Sequence, residues 1–399
     1  MSRVLITTSP EKGHLNPMVG VAQWLRRMGH TVGWLCLPEP APQLQQLGVE
    51  VLELPHSAAP SAPAPIETGG EALAQLVRDE VALGRWIRGL LLDSVPAQIE
   101  PVRQVVRRFK PDVMAVDGMQ YAAVLAAHLE QLPWAGVSSA LTLLEPEIDI
   151  ALLRNVRSLA TDRQALFNAH GFPARFRTCE CLSPRLNTIF ATQDFVGPAA
   201  RIPPNTHLVG PSLPPEPRGD EVGFPWERLG GKPVVYLSFG SQISWQPELF
   251  RRIAEAAAPL GVTLVLSAGE LAGTGFTRSL PGDVVAVAYA PQRQLLPRVS
   301  AFISHGGANS VMEALTEGVP LLLLPVCNDQ PVQAHFLTQS GAGLALDPST
   351  LTVDACRAAL VRLLEPGTPL RAKVAALSAS YRARDGAKQA AALIAGLVA

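Results

Sequence analysis

Short apolar runs rich in β-branched residues alternate with longer segments of helical periodicity along most of the chain. This alternation predicts parallel strands with helices packed on the faces of each sheet. In the first half the predicted strands are 4–8, 31–36, 49–54, 113–117, 134–138 and 188–192. In the second half they are 234–238, 263–267, 284–288, 301–304 and 321–325.

Helical patterns separate these runs. Met18, Val21, Ala22 and Leu25 recur at helical spacing and predict a helix over 17–28. Further helical patterns cover about 71–110 and 152–170, and alanine-rich helices are predicted from about 369 to 399. The segment 57–65, rich in proline and alanine, is predicted to be a mobile loop.

A proline-dense, polar stretch at 210–219 has the composition of a linker, and the strand–helix alternation restarts after it. We therefore expect an α/β protein with two doubly wound, Rossmann-like parallel-sheet domains that face each other across a cleft. The predicted divisions are an N-terminal domain 1–212, a linker 213–232, a C-terminal domain 233–384 and a final helix within 385–399 that packs back on the N-terminal domain. Ligands of such sheets bind beyond the carboxyl ends of the strands.

The composition narrows the function. With 399 residues, 48% hydrophobic and 17% charged, the chain can bury two cores. A formal net charge of -1 provides no basic field for nucleic acid or an anionic membrane, and no apolar stretch is long enough to span a bilayer. The chain begins with a strand-like run rather than a signal peptide, and its five scattered cysteines are expected to be buried free thiols. We expect a cytoplasmic protein that is a monomer or a weak homodimer.

The most informative segment is 304–315, where a strand ends at His305, two glycines turn the chain and a helix begins after Gly307. The free N–H groups and the positive dipole end of that helix predict a diphosphate site. His305, Asn309 and Ser310 can add donors to phosphate oxygens, and Glu313 can accept from ribose hydroxyls. The alternative is an ordinary strand–helix turn that is capped by Asn309 or Ser310.

Two residues of the first half predict acid–base chemistry. His14 follows strand 4–8 and is a candidate general base for a hydroxyl group. Asp117 ends strand 113–117 and could orient the imidazole and stabilise its charged form. Alternatively, each caps a following helix. The acidic run 145–149 could suggest a metal site, but such loops are usually solvated, and no Asp-x-Asp motif occurs in the chain.

The run from Tyr289 to Gln330, together with His14 and Asp117, resembles the family 1 (UDP-glycosyltransferase-like) glycosyltransferases, in their bacterial natural-product branch. The resemblance implies the GT-B fold, with an acceptor-binding N-terminal domain and a C-terminal domain that binds a nucleotide-sugar donor. It makes His14 the catalytic base and Asp117 its partner. The donor-binding positions that it implies are Ser241, Tyr289, Gln292, His305, Gly307, Asn309, Ser310, Glu313, Asp329 and Gln330.

Within that set the resemblance assigns separate roles. His305, Asn309, Ser310 and Ser241 match phosphate contacts, and Glu313 matches a ribose contact. Asp329 and Gln330 match the pair that bonds to the transferred sugar, and Gln292 contacts the base or the ribose. Tyr289 stands where the family usually has a tryptophan that stacks on the base. That departure puts the identity of the nucleotide in doubt.

The expected function is an inverting, metal-independent transfer of a hexose from a UDP- or TDP-linked donor to a hydroxyl of a small apolar acceptor, with no cofactor. The apolar acceptor wall is expected near Trp86, 141–144, Phe167, Phe172 and Phe176, although such residues are more often core. The alternatives are a nucleotide-sugar epimerase and a catalytically inactive sugar-nucleotide-binding accessory protein. The second has no need of His14 and Asp117. The sequence leaves open which acceptor is used and whether the bond forms to oxygen, nitrogen or carbon.

Overall fold

The computed structural model of the protein describes residues 1–37, 42–54 and 70–398, so the predicted loop at 57–65 lies outside the described residues. Within these ranges, seven parallel strands form the first sheet, in the order β3-β2-β1-β4-β5-β8-β9. They are β1 (Arg3–Thr8), β2 (Thr31–Cys36), β3 (Glu50–Leu52), β4 (Val113–Asp117), β5 (Trp134–Ser138), β8 (Leu186–Ile189) and β9 (Thr206–Leu208). An antiparallel hairpin of β6 (Arg175–Arg177) and β7 (Glu180–Leu182) stands apart.

The second sheet is also parallel and has the order β12-β11-β10-β13-β14-β15. Its strands are β10 (Val234–Ser238), β11 (Thr263–Ser267), β12 (Asp283–Val287), β13 (Ala301–Ser304), β14 (Leu321–Leu323) and β15 (Gly343–Ala345). The predicted fold class, two doubly wound α/β domains of the GT-B type, is confirmed.

Helices connect the strands of both sheets. In the first half they are α1 (Lys12–Arg27), α2 (Gly70–Leu76), α3 (Glu80–Arg88), α4 (Val95–Phe109), α5 (Tyr121–Leu129), α6 (Ala151–Ser158), α7 (Ala160–Asn168) and α8 (Gln193–Val196). In the second half they are α9 (Pro247–Ala257), α10 (Gly275–Arg278), α11 (Gln292–Leu295), α12 (Ala308–Glu317), α13 (Gln330–Ser340), α14 (Val353–Leu364), α15 (Pro369–Arg382) and α16 (Gly386–Ala395).

Most predicted strands lie within one or two residues of the observed ones, but the prediction of 188–192 is wrong in its limits. The strand is β8, which pairs with β5 and β9 and ends at Ile189. The predicted helix 17–28 begins earlier, at Lys12, because Pro17 removes only one helical hydrogen bond and does not stop the helix. The three-residue strands β9 and β15 were not predicted, since they are too short for a periodic signal.

The central strands β4, β5, β10, β11 and β13 are buried along their whole length. Parallel strands that are covered on both faces read as continuous apolar runs, which is why the sequence located them well. One buried cluster joins the two halves of the molecule, because it contains side chains of α1, α12 and α16.

The strand order reverses between β1 and β4 in the first sheet and between β10 and β13 in the second. In doubly wound sheets a crevice opens beyond the carboxyl ends of the strands at such a reversal. The segments that follow these four strands therefore define the places where a ligand can bind.

The C-terminal helix α16 packs on α1, so the chain returns to the first half of the molecule at its end. The Gly386 N–H donates to Pro211 O (2.9 Å), which brings the start of α16 against the segment between the two sheets. A Cβ atom on residue 386 would lie 2.3 Å from Gly210 O, a distance that no real contact tolerates. Only glycine fits this crossing.

We expect Gly386→Ala to lower the free energy of unfolding by about 1–3 kcal/mol, because the added methyl group must push two backbone segments apart. The urea midpoint followed by circular dichroism measures the change. Gly396→Ala is the matched control, since a Cβ there would meet no atom within 4 Å. Equal midpoints for the two variants would contradict the close approach.

Candidate functional site

A cavity of about 290 Å³ lies between the two sheets, at the carboxyl ends of β1, β4, β10 and β13. Both halves of the molecule line it, and every residue that the sequence predicted for the site is part of its wall. These residues are His14, Asp117, Ser241, Tyr289, Gln292, His305, Gly307, Asn309, Ser310, Glu313, Asp329 and Gln330. The candidate catalytic base and the candidate phosphate site thus line the same cavity.

His14 lies in the first turn of α1 rather than on a loop before it. Its Nδ1 atom is 2.5 Å from Asp117 Oδ2 and 3.2 Å from Ser139 Oγ. The other Asp117 oxygen accepts from the Met119 N–H (3.0 Å), so this carboxylate both orients the histidine and closes its own turn. The imidazole is 28% exposed and the carboxylate 4%, which leaves His14 as the member of the pair that can meet a ligand.

The electrostatics of the pair favour a charged imidazole. Burial disfavours the imidazolium, but the charge and the hydrogen bond of Asp117 outweigh it, with help from Glu11 and Asp329, and raise the pKa of His14 to about 9. Because Nδ1 bonds to Asp117, Nε2 is the nitrogen that gains or loses a proton at this pKa. His14 therefore holds a proton at neutral pH and becomes a base when it is lost.

Glu180 is a second buried carboxyl group at this site, and the sequence did not indicate it. Its Oε1 atom accepts from the hydroxyls of Ser138 (2.8 Å) and Thr142. Burial, together with the charge of Asp117, raises the pKa of Glu180 to about 8. A glutamate between two cysteines in a three-residue strand carries no periodic or spacing signal, so only the fold reveals its position.

The turn that precedes α12 has the geometry of an anion site. Gly307 is the N-cap of α12 and no side chain caps it, so the alternative in which Asn309 or Ser310 caps the helix is wrong. Ser310 shares a weak hydrogen bond with Gln292 at 3.4 Å. The start of α12, with its first-turn N–H groups and the positive end of its dipole, thus lies at the cavity.

His305 lies against this turn. Burial lowers its pKa to about 4, so the imidazole is neutral and can donate one hydrogen bond. A Cβ atom on residue 307 would lie 2.6 Å from His305 Nε2. Gly307 is required here because the imidazole occupies the space of a side chain.

Asn309 makes a contact that was not predicted. Its Nδ2 atom donates to the carbonyl groups of Lys12 (3.2 Å) and Gly13 (3.1 Å) across the cavity. The Gly13 carbonyl is available because its helical partner would be the N–H of Pro17, which proline lacks. The amide of Asn309 therefore joins the start of α12 to the turn that carries His14.

The predicted ribose contact, Glu313, already has two partners. Arg218 Nη1 donates to its Oε1 (2.7 Å) and Gln292 Nε2 donates to its Oε2 (2.7 Å). Glu313 is buried, with only 4% of its surface exposed. A ligand hydroxyl must use the remaining lone pairs of this carboxylate or replace one of the two donors.

The linker segment contributes to the site through Arg218 and Asp220, which pair at 2.9 Å. The Tyr289 hydroxyl donates to Asp220 Oδ2 (2.6 Å), and Lys12 Nζ lies 3.5 Å from the same oxygen. Lys12 Nζ also lies 3.8 Å above the Tyr289 ring, in a cation–π contact. Arg218 and Asp220 were not predicted, because they lie in a proline-rich segment without helical or strand periodicity.

The remaining predicted donor positions differ in how they meet the cavity. Burial raises the pKa of Asp329 to about 6. The side-chain oxygen Oε1 of Gln330 accepts from the N–H groups of Val326 (2.8 Å) and Cys327 (3.0 Å) and so fixes the loop before α13. Ser241 lies on the loop after β10 and is exposed. Gln330 therefore has a structural task besides lining the cavity.

The expected acceptor wall is correct only in part. Trp86 lines the first-half end of the cavity, where the apolar side chains are those of Ile87, Leu90, Leu91, Val95 and Leu152. The prediction for Phe167, Phe172 and Phe176 is wrong, since these rings pack behind Tyr121 as an aromatic core. Of 141–144, the leucines are buried core and Thr142 alone touches the cavity.

The acidic run 145–149 is engaged in ion pairs. Glu145 pairs with Arg177 and Asp149 with Arg154, each at 2.8 Å. Across residues 1–37, 42–54 and 70–398, no three His, Cys, Asp or Glu side chains are grouped to hold a metal ion. The five cysteines are buried and form no disulfide. Within the same ranges, every helix is too short or too polar to cross a bilayer.

Comparisons with known proteins show which proteins the chain resembles. Residues 192–382 match the family described as UDP-glucoronosyl and UDP-glucosyl transferase. The chain is 26% identical to 4'-demethylrebeccamycin synthase of Lentzea aerocolonigenes over 433 aligned positions, covering 100% of both chains. Among solved structures, the glycotransferase of kitacinnamycin superposes with a TM-score of 0.78 at 24% identity, covering 100% of this chain and 99% of the other. The glycosyltransferase VinC in complex with DTDP superposes with a TM-score of 0.70 at 21% identity, covering 99% of each.

We expect Asp117→Asn to lower the pKa of His14 from about 9 to below its ordinary value of 6.5, because burial then acts without the opposing carboxylate. An NMR titration of the histidine ring protons measures this, and His14→Ala assigns the resonance. Asp112→Asn is the control, since that carboxylate bonds to the Arg3 N–H at the other end of β4. An unchanged titration in Asp117→Asn would show that the pair is not coupled.

Proposed function

We propose that this chain, whose residues 192–382 match the UDP-glucoronosyl and UDP-glucosyl transferase family, is an inverting glycosyltransferase that uses His14 as its base. It transfers a hexose from a UDP- or TDP-linked donor to a hydroxyl group of a small, largely apolar natural-product acceptor. The observation that carries the proposal is that His14 and the start of α12 line one cavity, joined by Asn309.

The acceptor hydroxyl lies at Nε2 of His14 in this proposal. Asp117 fixes Nδ1, so Nε2 takes the hydroxyl proton while the oxygen attacks the anomeric carbon. The attack comes from the first-half side and the diphosphate leaves toward α12, on the opposite face of the sugar. Displacement between opposite faces inverts the configuration at that carbon.

Stabilisation of the leaving diphosphate falls to the turn before α12. Developing negative charge is matched by the first-turn N–H groups and the helix dipole, with neutral His305 as an additional donor. These groups are held in place by the fold, so little reorganisation is needed when the charge develops. We propose that no divalent metal and no cofactor is required, since this cradle, rather than an Asp-x-Asp motif, meets the diphosphate.

The nucleoside lies beyond the diphosphate, near Tyr289, Gln292 and Glu313. Tyr289 offers one ring face, while Lys12 covers the other. A pyrimidine that stacks on the open face places its ribose near the buried Glu313 carboxylate. The structural neighbour with bound DTDP supports a thymidine or uridine diphosphate as the donor nucleotide.

The acceptor occupies the first-half end of the cavity. Its apolar wall comes from α3 and α4 and the turn between them, and from Leu152. Ser139 contacts His14, and Glu180 interacts electrostatically with Asp117 and His14. This arrangement suits a small apolar molecule with a hydroxyl group at its buried end. The buried thiols also suit the reducing cytoplasm that we propose as its location.

The reaction is tested by mass spectrometry after incubation with UDP- and TDP-sugars and a mixture of phenolic, polyketide and terpenoid acceptors, with and without EDTA. Transfer that persists with EDTA supports the proposal. An epimerase would convert the donor without acceptor, and an accessory protein would bind the donor without any product. Loss of activity in EDTA that Mg²⁺ restores would show that a metal is needed.

We expect His14→Ala to lower kcat by roughly 10²–10⁴-fold while the Kd for UDP or TDP stays unchanged, because the base acts only on the acceptor. His305→Ala has the opposite effect and weakens nucleotide binding. Steady-state kinetics and isothermal titration calorimetry separate the two. Near-normal turnover in His14→Ala would exclude it as the base, and an unchanged Kd in His305→Ala would exclude the cradle.

We expect kcat/KM to rise with pH up to about 9, since the base is active only after His14 loses its proton and its pKa lies above the ordinary value. In Asp117→Asn the rising limb should move to lower pH and the plateau should fall. A pH–rate profile of both proteins measures this. A wild-type limb centred at or below 6.5 would mean that the charged pair does not control the reaction.

A further inference from the structure

The turn that carries His14 is tied to the nucleoside end of the cavity by a chain of charged groups. Lys12, two residues before His14, approaches Asp220 at 3.5 Å. Asp220 accepts from Arg218 at 2.9 Å, and Arg218 donates to Glu313 at 2.7 Å. The chain therefore runs from the first turn of α1, through the linker segment, to the carboxylate near the proposed ribose site.

Most of this chain is shielded from solvent. The side chains of Arg218, Asp220 and Glu313 are 6%, 7% and 4% exposed. Charge interactions between such groups are weakly screened by salt and water, so a displacement of one is felt by the next. Lys12 is 34% exposed and is the last member of this network, next to the turn that carries His14.

Lys12 is also placed on the ring that the proposed nucleobase would use. Its ammonium group lies 3.8 Å above Tyr289, whose hydroxyl donates to the same Asp220. Occupation of this region by a nucleotide must act on Tyr289, Asp220 or Glu313. Tyr289 and Asp220 contact Lys12 directly, and Glu313 is connected to it through Arg218 and Asp220.

We propose that Lys12 is a positioning residue that couples occupancy of the nucleoside region to the placement of His14. This inference rests on the proposed function and adds to it a route between the two ends of the site. Lys12 contacts Asp220 and the Tyr289 ring, and Arg218 in turn holds the Asp220 carboxylate. With a nucleotide bound, the restrained Tyr289 and Glu313 fix the network, and the backbone from Lys12 to His14 becomes less mobile.

The variant Lys12→Met removes the ammonium group and keeps the length of the side chain. Asp220 retains Arg218 and Tyr289 as partners, so its carboxylate is not left buried and unpaired and the protein should fold. Lys12→Arg is the conservative variant, because a guanidinium can bond to Asp220 and stack on the ring. Lys232→Met is the matched control, since Lys232 pairs with Asp283 at 2.9 Å and does not line the cavity.

Hydrogen–deuterium exchange with whichever of TDP or UDP binds more tightly tests the coupling. In the wild type and Lys232→Met, we expect the nucleotide to slow exchange about threefold or more in two peptides, 304–313 and 9–20. In Lys12→Met the effect on 304–313 should remain and the effect on 9–20 should disappear. Lys12→Arg should restore it. Protection of 9–20 that survives in Lys12→Met overturns the inference.

The two proposals can fail separately in this experiment. If the nucleotide protects 304–313 but not 9–20 in the wild type, the donor site stands and the coupling is wrong. If neither peptide responds, the nucleotide site itself is wrong, and the coupling falls with it. With an acceptor at hand, Lys12→Met should lower kcat about tenfold and leave the donor KM within about threefold. A change in KM alone would assign Lys12 to binding.

Discussion

The pairing of the His14 imidazole with the buried Asp117 carboxylate is the interaction on which the chemistry of the cavity depends. A carboxylate that is 4% exposed needs a hydrogen-bonding partner of opposite charge, and His14 supplies it. The same contact fixes Nδ1, directs Nε2 toward the cavity and raises the proton affinity of the ring. Orientation and basicity are therefore two results of one contact, and a change that alters one alters the other.

The cavity exists because two similar sheets present their strand reversals to each other. Each sheet alone would offer a shallow crevice, one with a histidine and one with the end of a helix. Beside the cavity, Asn309 and Lys12 join the halves through polar contacts, while a shared apolar cluster of α1, α12 and α16 packs the two halves together. Apolar packing holds the two halves together, and the polar contacts fix how the residues from each half are placed around the cavity.

The sequence predicted the fold class and the residues that line the cavity, because both depend on strong signals. Fully buried strands such as β10 and β13 are apolar runs, and the residues that follow them must lie at the sheet's edge. The sequence could not predict the partners. Arg218 belongs to a segment without periodicity, and Glu180 reaches the site through a short hairpin.

The sequence also does not show which side chains are buried in the core or which hydrogen bonds they form. The phenylalanines near residue 170 are as apolar as the true cavity wall, and only packing distinguishes a core ring from a lining one. Glu313 was predicted to accept from ribose hydroxyls, and the sequence did not indicate that Arg218 and Gln292 already donate to it. Such differences arise from contacts between residues that are far apart in the chain, which no local pattern records.

Pro17 shows how a single missing hydrogen can shape contacts between domains. Within a helix each carbonyl normally accepts a hydrogen bond from the amide four residues later. Proline leaves the Gly13 oxygen unclaimed, and the Asn309 amide claims it. A proline, usually regarded as a helix defect, thus leaves an acceptor for a hydrogen bond between the two halves. A residue with an N–H group at position 17 would strengthen α1 and weaken that hydrogen bond.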